Sequence, residues 1–563
     1  MHQLQNLIAE RVASGFKRKS IVSCAKWAES YRIMGNPFPG PWTFNYHPWL
    51  KEMHECDCDN IVGQKSAQMG YTEFALNLAF YSMDIKGIDV LYVLPAKTPD
   101  AADFSASRFN PAIESSTHLT RFFSDVQNIG HKRAGNSNLF IRGSKSRSAL
   151  KSIPVGLIIL DELDEMPKAN VTLALERTAG QRKRQNLKLS TPTFNDFGIN
   201  FFYNLSTQEH FFFICPKCKR FTELLFPECL KVTADTLSDP KLKYSYIRCK
   251  DCKRKLWDSE SYSHKWKDLK TGRFVAAYPG RESRGFYVNQ MLSSAIAGNP
   301  AELAGKYIKG LSNPSDEQEF YNSALGLPHI PEGASITDEH LVECRKIGTV
   351  FKNGVNINRD GIRTMGVDIG KVLHVQIDEW KLPNRRYTTD LNIEAVPKCL
   401  YFTKVHDFKE LDVLMAEWKI IHCVVDKHPE HRTAYEFACR FPGHVHLCFY
   451  ARGVSGKQIH EMKDKVTDVL DAYTIHVDRT AWLDLRLGRY KRKGIHLPLD
   501  LSEEYKEQLK AMVRILSPDP DGNPVARYDK SENSMDHYAH ASTYSEIAFP
   551  FAVSLGESHS IQI

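Results

Sequence analysis

The chain has 563 residues, 42% of them hydrophobic and 25% charged, with 74 Lys+Arg against 67 Asp+Glu for a net charge of +7. This balance fits a soluble globular protein of roughly three or four units and permits a polyanion partner without demanding one. No apolar run reaches the roughly 18 residues needed to span a bilayer, and the N-terminus lacks the compact apolar core and cleavage site of a signal peptide, so an intracellular protein is expected. In such a chain, thirteen cysteines point to metal binding rather than to disulfides.

Leu4, Leu7, Ile8, Val12 and Phe16 recur at helical spacing ahead of Lys17-Arg18-Lys19. They predict an amphipathic helix that docks on the body, with a partner surface as the second reading. Residues 36–50, NPFPGPWTFNYHPWL, are too rich in Pro and Gly for a helix or a central strand. Their Trp42, Phe44, Tyr46 and Trp49 offer either a stacking face for an adenine ring or the packed edge of a domain. Their position just ahead of a phosphate-type loop favours stacking.

That loop is IVGQKSAQMGYTE, residues 61–73, followed by the apolar helical segment FALNLAFYSM. A phosphate loop needs backbone N–H groups around the phosphates, a lysine on the β/γ oxygens and a Ser/Thr hydroxyl on Mg²⁺. Gly63 and Gly70 bracket it, Ser66 lies within it, and Thr72 takes the hydroxyl position. Tyr71 occupies the usual lysine position, so the strict pattern fails, and Lys65 is left to reach the phosphates from the front of the loop.

Residues 88–94, IDVLYVL, predict a parallel strand closed by Pro95. The run PVGLIILDELDEMP, 154–167, predicts another, with Asp161, Glu162, Asp164 and Glu165 at its C-terminal end. In a nucleotide-hydrolysing site the first acid holds Mg²⁺ and the second activates water; the plain alternative is a core strand running into a charged helix cap. Asp164 and Glu165 are expected to begin a helix, where acids suit the dipole. Leu187–Thr193 is a further strand end, which puts Ser190 and Thr191 beside a terminal phosphate or in a simple turn. Strands alternating with helices predict a doubly wound α/β sheet.

Two C-x₂-C knuckles follow, Cys215–Cys218 and Cys249–Cys252, with thirty residues between the inner cysteines. Four thiolates on two tight turns complete a tetrahedral Zn²⁺ site and leave no open position, so the zinc is expected to be structural. A redox pair would need only one knuckle. Lys217, Lys219, Arg220, Arg248, Lys250, Lys253, Arg254 and Lys255 crowd the site, either as a DNA contact or as part of a clamp between domains.

Beyond a Pro/Gly-containing stretch at 325–333, Thr364–Gly370 (TMGVDIG) predicts a strand presenting Asp368, and VLHVQIDEW an antiparallel partner. Fifty-eight residues after Asp368, the strand Ile420–Asp426 ends in another aspartate, and Asp536 opens a predicted helix. Asp529 and Glu532 compete with Asp536, while His428 and His537 are expected to be peripheral. Three carboxylates on two strand ends and a helix are the ligand set of a ribonuclease-H-like nuclease, suited to two Mg²⁺ or Mn²⁺ ions about 4 Å apart.

KSAQMGYT, LDELDEMP and LSTPT, in this order and followed by the cysteine knuckles and the second acidic set, resemble the large subunit of a phage terminase of the lambda-like type. That family places its phosphate-loop lysine early. Residues 142–167, 284–328 and 473–490 are also similar to family segments, and the likeness covers roughly residues 40–545. The resemblance implies an α/β architecture in order: an N-terminal helical segment 1–40; a P-loop ATPase domain 41–335 with a zinc ribbon at about 211–257; a linker 336–362; a ribonuclease-H-like nuclease domain 363–550; and a tail 551–563. It implies that Gly63, Lys65, Ser66, Gly70, Thr72 and Asp161 bind ATP with Mg²⁺ and that Glu162 is catalytic. Arg142 or Arg147, or a neighbouring subunit's arginine, would stabilise the transferred charge. Asp368, Asp426 and Asp536 would hold two nuclease metals.

The implied function is ATP-driven packaging of double-stranded DNA into a procapsid, with endonucleolytic cutting of concatemers. The implied partners are a small terminase subunit, the portal and further copies in a ring, in the host cytoplasm and without a membrane. An ATP-dependent helicase or repair nuclease would need a second motor core for which there is no room. A non-enzymatic zinc-ribbon scaffold leaves both carboxylate sets unexplained.

Overall fold

The computed structural model describes residues 23–36, 38–123, 126–151, 153–355, 361–382, 395–451, 454–461, 473–518 and 524–560. The helix expected within the first sixteen residues lies outside them. The chain divides into two compact units, Met1–Pro331 and Glu332–Ile563. Among the described residues no helix is long and apolar enough to cross a membrane.

In the first unit α1 (Cys24–Tyr31) and α2 (Trp49–Glu55) precede β1 (Asn60–Lys65) and α3 (Tyr71–Tyr81). There follow β2 (Val90–Leu94), β3 (Val126–Asn128), β4 (His131–Ala134), β5 (Ser137–Gly143), β6 (Leu157–Asp161) and β7 (Gln185–Ser190). Beyond α4 (Gly198–Asn204) come β8 (Glu209–Ile214), β9 (Phe221–Thr222), β10 (Leu230–Lys231), β11 (Tyr246–Arg248), β12 (Lys255–Asp258), β13 (Arg273–Ala276) and β14 (Arg284–Val288).

Every residue of β2 and β6 is buried, as expected of strands covered on both faces, and their continuous apolar runs reflect that environment. An eleven-stranded sheet runs in the order β9-β8-β14-β1-β7-β6-β2-β5-β4-β3, with β13 paired to β8. From β8 to β5 the neighbours are parallel. The chain therefore passes from β1 over β7 and β6 to reach β2, and a crevice opens at the C-terminal strand ends. Gly70 starts α3 at φ +83°, and a Cβ there would stand 2.8 Å from Leu50 Cδ1. Only glycine suits both the turn and the space.

In the second unit β15 (Ile362–Ile369), β16 (Leu373–Lys381) and β17 (Val396–Val405) form an antiparallel meander. Beyond it lie β18 (His422–Asp426), β19 (Val445–Tyr450), β20 (Ile459–Glu461) and β21 (Thr474–Val477). The sheet order is β17-β16-β15-β18-β19-β21-β20; β18, β19 and β21 continue parallel to β15, and β20 closes the edge antiparallel.

Helices α5 (Arg479–Lys491), α6 (Glu503–Lys510) and α7 (His537–Ser560) are among the helices of this unit. Residues 551–560, expected as part of a tail, thus continue α7. This helix lies so close to β15 that a Cβ on Gly366 would come within 1.9 Å of the Ala541 carbonyl oxygen. Arg486 and Arg489 of α5 are buried against Glu546 of α7, with Arg489 Nη2 2.7 Å from Glu546 Oε1 and Arg486 Nη2 2.8 Å from Asp378 Oδ2. A buried pair tolerates little displacement, so this cluster fixes α7 in register with the sheet.

Candidate active sites and metal centre

In the first unit only β7 separates β1 from β6 in the sheet, so the loop after β1 and the acidic end of β6 open into one crevice. Lys65, the last residue of β1, sets its Nζ 2.7 Å from Glu162 Oε1 and 3.6 Å from Asp161 Oδ1. Thr72 Oγ1 donates to Asp161 Oδ2 at 3.2 Å, and the Tyr92 hydroxyl donates to the same oxygen at 2.7 Å. The structure thus brings Lys65, Thr72, Asp161 and Glu162 together.

Burial would lower the Lys65 pKa, but the two carboxylates outweigh it and hold the ammonium above its ordinary range. Asp161 Oδ1 and Ser66 Oγ are buried without a hydrogen-bond partner. At 3.6 Å the Lys65 contact to Asp161 is electrostatic only. Orphaned buried oxygens beside a buried lysine and a helix N-terminus fit a bound cation and phosphate. Glu162 has left-handed backbone, φ +60°, and its side chain is 40% exposed. It leaves the strand where Asp161 stays in it.

Gly63 does not bracket the loop. It lies within β1, paired with Phe286 and Leu189, and the loop proper is 66–70. Two loop amides are already engaged, Ser66 N–H with the Val288 carbonyl and Ala67 N–H with that of Ser323. Trp42, Phe44 and Trp49 are buried. Trp49 Nε1 donates to the Met69 carbonyl of the loop at 2.9 Å, while Trp42 and Phe44 pack on each other and on His54, so these three rings are core and not a stacking face. Tyr46 stays partly exposed. Arg142 donates to the carbonyls of Gly130 and Ile141, and Arg147 is exposed.

Asp164 lies, as expected, at the start of a helix, the short 3-10 turn Leu163–Glu165, and is also a buried junction. Its Oδ2 accepts from both the N–H and the hydroxyl of Thr193 at 2.9 Å, and its Oδ1 from Ile199 N–H at 2.7 Å. Its own N–H donates to Ser190 Oγ at 3.2 Å. Burial pushes the carboxyl up to about 7 against these donors.

Cys215, Cys218, Cys249 and Cys252 hold their Sγ atoms within 4.8 Å of one another. The two turns repeat one geometry. Lys219 N–H donates to the Cys215 carbonyl and Lys253 N–H to that of Cys249, with Lys219 at φ +62° and Lys253 at φ +59°. Lys217 and Cys218 N–H both donate to Cys215 Sγ at 3.4 Å, although burial outweighs them and pushes the thiol up to about 12. Four thiols so disposed fit one tetrahedral metal ion.

In the second unit Asp368 and Asp426 follow directly on the paired residues Val367 and Val425 of adjacent parallel strands, so they are side by side at the strand ends. Burial, and then the Asp368 charge, push Asp426 up to about 6. Among the described residues the four cysteines alone form a group of three or more metal-ligating side chains within 4.8 Å, so the three aspartates are not brought into one such cluster. Asp536 is paired with Lys530 and lies 3.4 Å from His540 Nε2. Burial raises its pKa, but the hydrogen bonds and charges at His540 and Lys530 outweigh burial and hold it below the usual carboxylate range.

His537 is not peripheral: its Nδ1 is 2.7 Å from Asp368 Oδ2, and that bond raises its pKa. Tyr92, in the middle of β2, and Lys530 carried no sequence signal that set them apart, and the junction role of Asp164 was not legible either.

Three solved structures are similar to this chain. The large terminase of bacteriophage HK97 is 11% identical, with 93% of this chain and 99% of that chain covered and a TM-score of 0.47. The large terminase ATPase domain of Thermus phage P74-26 is 15% identical over 49% of this chain and 91% of that one, with a TM-score of 0.30. A large terminase nuclease from a thermophilic phage is 11% identical over 38% and 97%, with a TM-score of 0.22. No curated protein matches the chain. Residues 36–274, which contain the loop, the acidic strand and the four cysteines, match the family model of the phage terminase large subunit gpA, ATPase domain. Over this segment the chain is similar to the phage terminase large subunit family.

Proposed function

We propose that the first unit hydrolyses ATP to drive double-stranded DNA into a procapsid and that the second cuts concatemeric DNA. The observation that carries the first half is the convergence of Lys65, Thr72, Asp161 and Glu162 on one crevice. ATP with Mg²⁺ supplies the phosphoanhydride bond and the charge that neutralises its oxygens. Lys65 binds phosphate, while Thr72 and Asp161 would hold the ion, with Tyr92 fixing the Asp161 carboxylate. Glu162, turned out of the strand and partly solvated, takes the proton of the attacking water. A translocase must ignore sequence, so DNA contacts are to the backbone. Site choice falls to a small terminase subunit, and the portal and further copies in a ring complete the assembly. The four cysteines hold one structural zinc.

The cutting half rests on Asp368 and Asp426 at adjacent strand ends, the pair best placed for Mg²⁺ or Mn²⁺. Asp536 joins them only if it gives up Lys530. Its salt bridge is the cost of that move.

Replacing Glu162 by Gln in the full chain tests the motor. ATP hydrolysis should fall by roughly 10²- to 10⁴-fold while ATP binding and DNA cutting persist. Normal turnover would refute the assignment.

A further inference from the structure

Two thiols meet at the entry to β1, the end of the strand opposite Lys65. Cys56 and Cys58, in the run HECDCDN, bring their Sγ atoms to 2.8 Å. The backbone there is pinned: Gln185 Nε2 donates to the Cys58 carbonyl at 3.0 Å. Cys56 is 7% exposed, whereas Cys58 is half-buried, so one thiol of the pair is open to solvent. Arg284, held by Glu52 and Glu209, places its positive charge beside them. The hydrogen bond from Cys58, with Arg284 adding to it, pulls the Cys56 thiol down to about 7, and the same bond, with burial, pushes the Cys58 thiol up, so the pair shares one proton and one thiolate. A thiol with that much thiolate at neutral pH is a competent nucleophile. No third metal-ligating side chain completes a group around the pair among the described residues, which separates it from the zinc-type cluster and favours thiol chemistry.

We propose that Cys56 and Cys58 form a dithiol site that a low-molecular-weight disulfide oxidises to an intramolecular Cys56–Cys58 disulfide. One thiolate of the pair attacks a sulfur of the small disulfide, breaks its S–S bond and expels a small thiolate. The second thiol gives up its proton, attacks the mixed disulfide and expels the other small thiolate. The protein pair loses two protons and two electrons, and the small disulfide gains them as two thiols.

Trypsin isolates the pair, because cleavage after Lys51 and Lys65 gives peptide 52–65 with these cysteines and no others. The full chain, kept in zinc, is equilibrated over a series of oxidised-to-reduced glutathione ratios, alkylated and mapped. The expected product is an unalkylated peptide 52–65 lighter by two hydrogens, its share rising with the ratio. Exposed Cys439 serves as the internal standard and is expected to carry only glutathione. A doubly alkylated peptide at every ratio overturns the proposal. So does a glutathione adduct on 52–65 that never resolves, since it would show that the second thiol does not attack.

Discussion

Thr193 donates twice to Asp164, through its backbone N–H and its hydroxyl, both at 2.9 Å to the same carboxylate oxygen. The Thr193 carbonyl in turn accepts from Asn322 Nδ2 at 2.8 Å and from His329 N–H at 3.1 Å. The turn that carries Glu162 is therefore bonded, through Asp164, to the end of β7 and to the segment that closes the first unit. A change in the acidic turn cannot leave those segments unmoved.

Asp164→Asn tests this link. An amide offers one acceptor oxygen where the carboxylate offers two, and it turns an NH₂ against a donor from Thr193 or Ile199. One buried donor left without a partner costs about 1–3 kcal/mol. The expected result is a melting temperature lowered by a few degrees together with a reduced kcat for ATP. An unaltered melting temperature would show that the junction does not stabilise the unit.

Tyr92 is the second support. Its hydroxyl is 2.7 Å from Asp161 Oδ2, in a strand where every residue is buried. Tyr92→Phe removes the donor and leaves the ring in place. A hydrogen bond to a charged group contributes about 1.5–3 kcal/mol, so the Mg²⁺ concentration for half-maximal ATP hydrolysis should rise roughly tenfold or more. Maximal rates should return at high Mg²⁺. A Mg²⁺ titration that matches the unaltered chain would remove Tyr92 from the site.

Strand ends were the legible part of this molecule. A run such as LIILD reports its burial through composition, and the acid that ends it must face a site or water, so Asp161, Asp368 and Asp426 were readable in one dimension. The knuckles were readable because C-x₂-C constrains its own turn. Gly63 was misplaced because a glycine in a strand and a glycine in a phosphate loop look alike until the first hydrogen-bonded residue is known. Asp164 was legible as a helix start but not as a junction, because the donors to its carboxylate lie 29 to 35 residues away. His537 needed the packing of α7 on β15, a contact between segments more than 160 residues apart, whereas Lys530 pairs locally with Asp536.

Removing the zinc should unfold its surroundings. The strands around the knuckles are two to four residues long, too short to stand on their own hydrogen bonds. Metal analysis should find one zinc per chain, lost when Cys215 and Cys249 become Ser. The same change should expose the 211–257 region to protease while the parallel sheet resists. A chain that holds no zinc but keeps that region protected would rule out a metal-dependent module.

Asp368→Ala separates the two activities. Asp368 accepts from His537 and lies beside Asp426, whose pKa its charge helps to raise, so its removal takes away a metal ligand and lets Asp426 ionise at lower pH. DNA cutting should disappear in Mg²⁺ and in Mn²⁺. DNA-stimulated ATP hydrolysis should continue at the unaltered rate, because every residue of the motor site belongs to the first unit. An agarose assay of plasmid cutting beside a phosphate-release assay reads both. If ATP turnover fell together with cutting, the two-site arrangement would fail. If cutting survived, the metal would have to be held by Asp426 and Asp536 without Asp368, which the Lys530–Asp536 pair opposes.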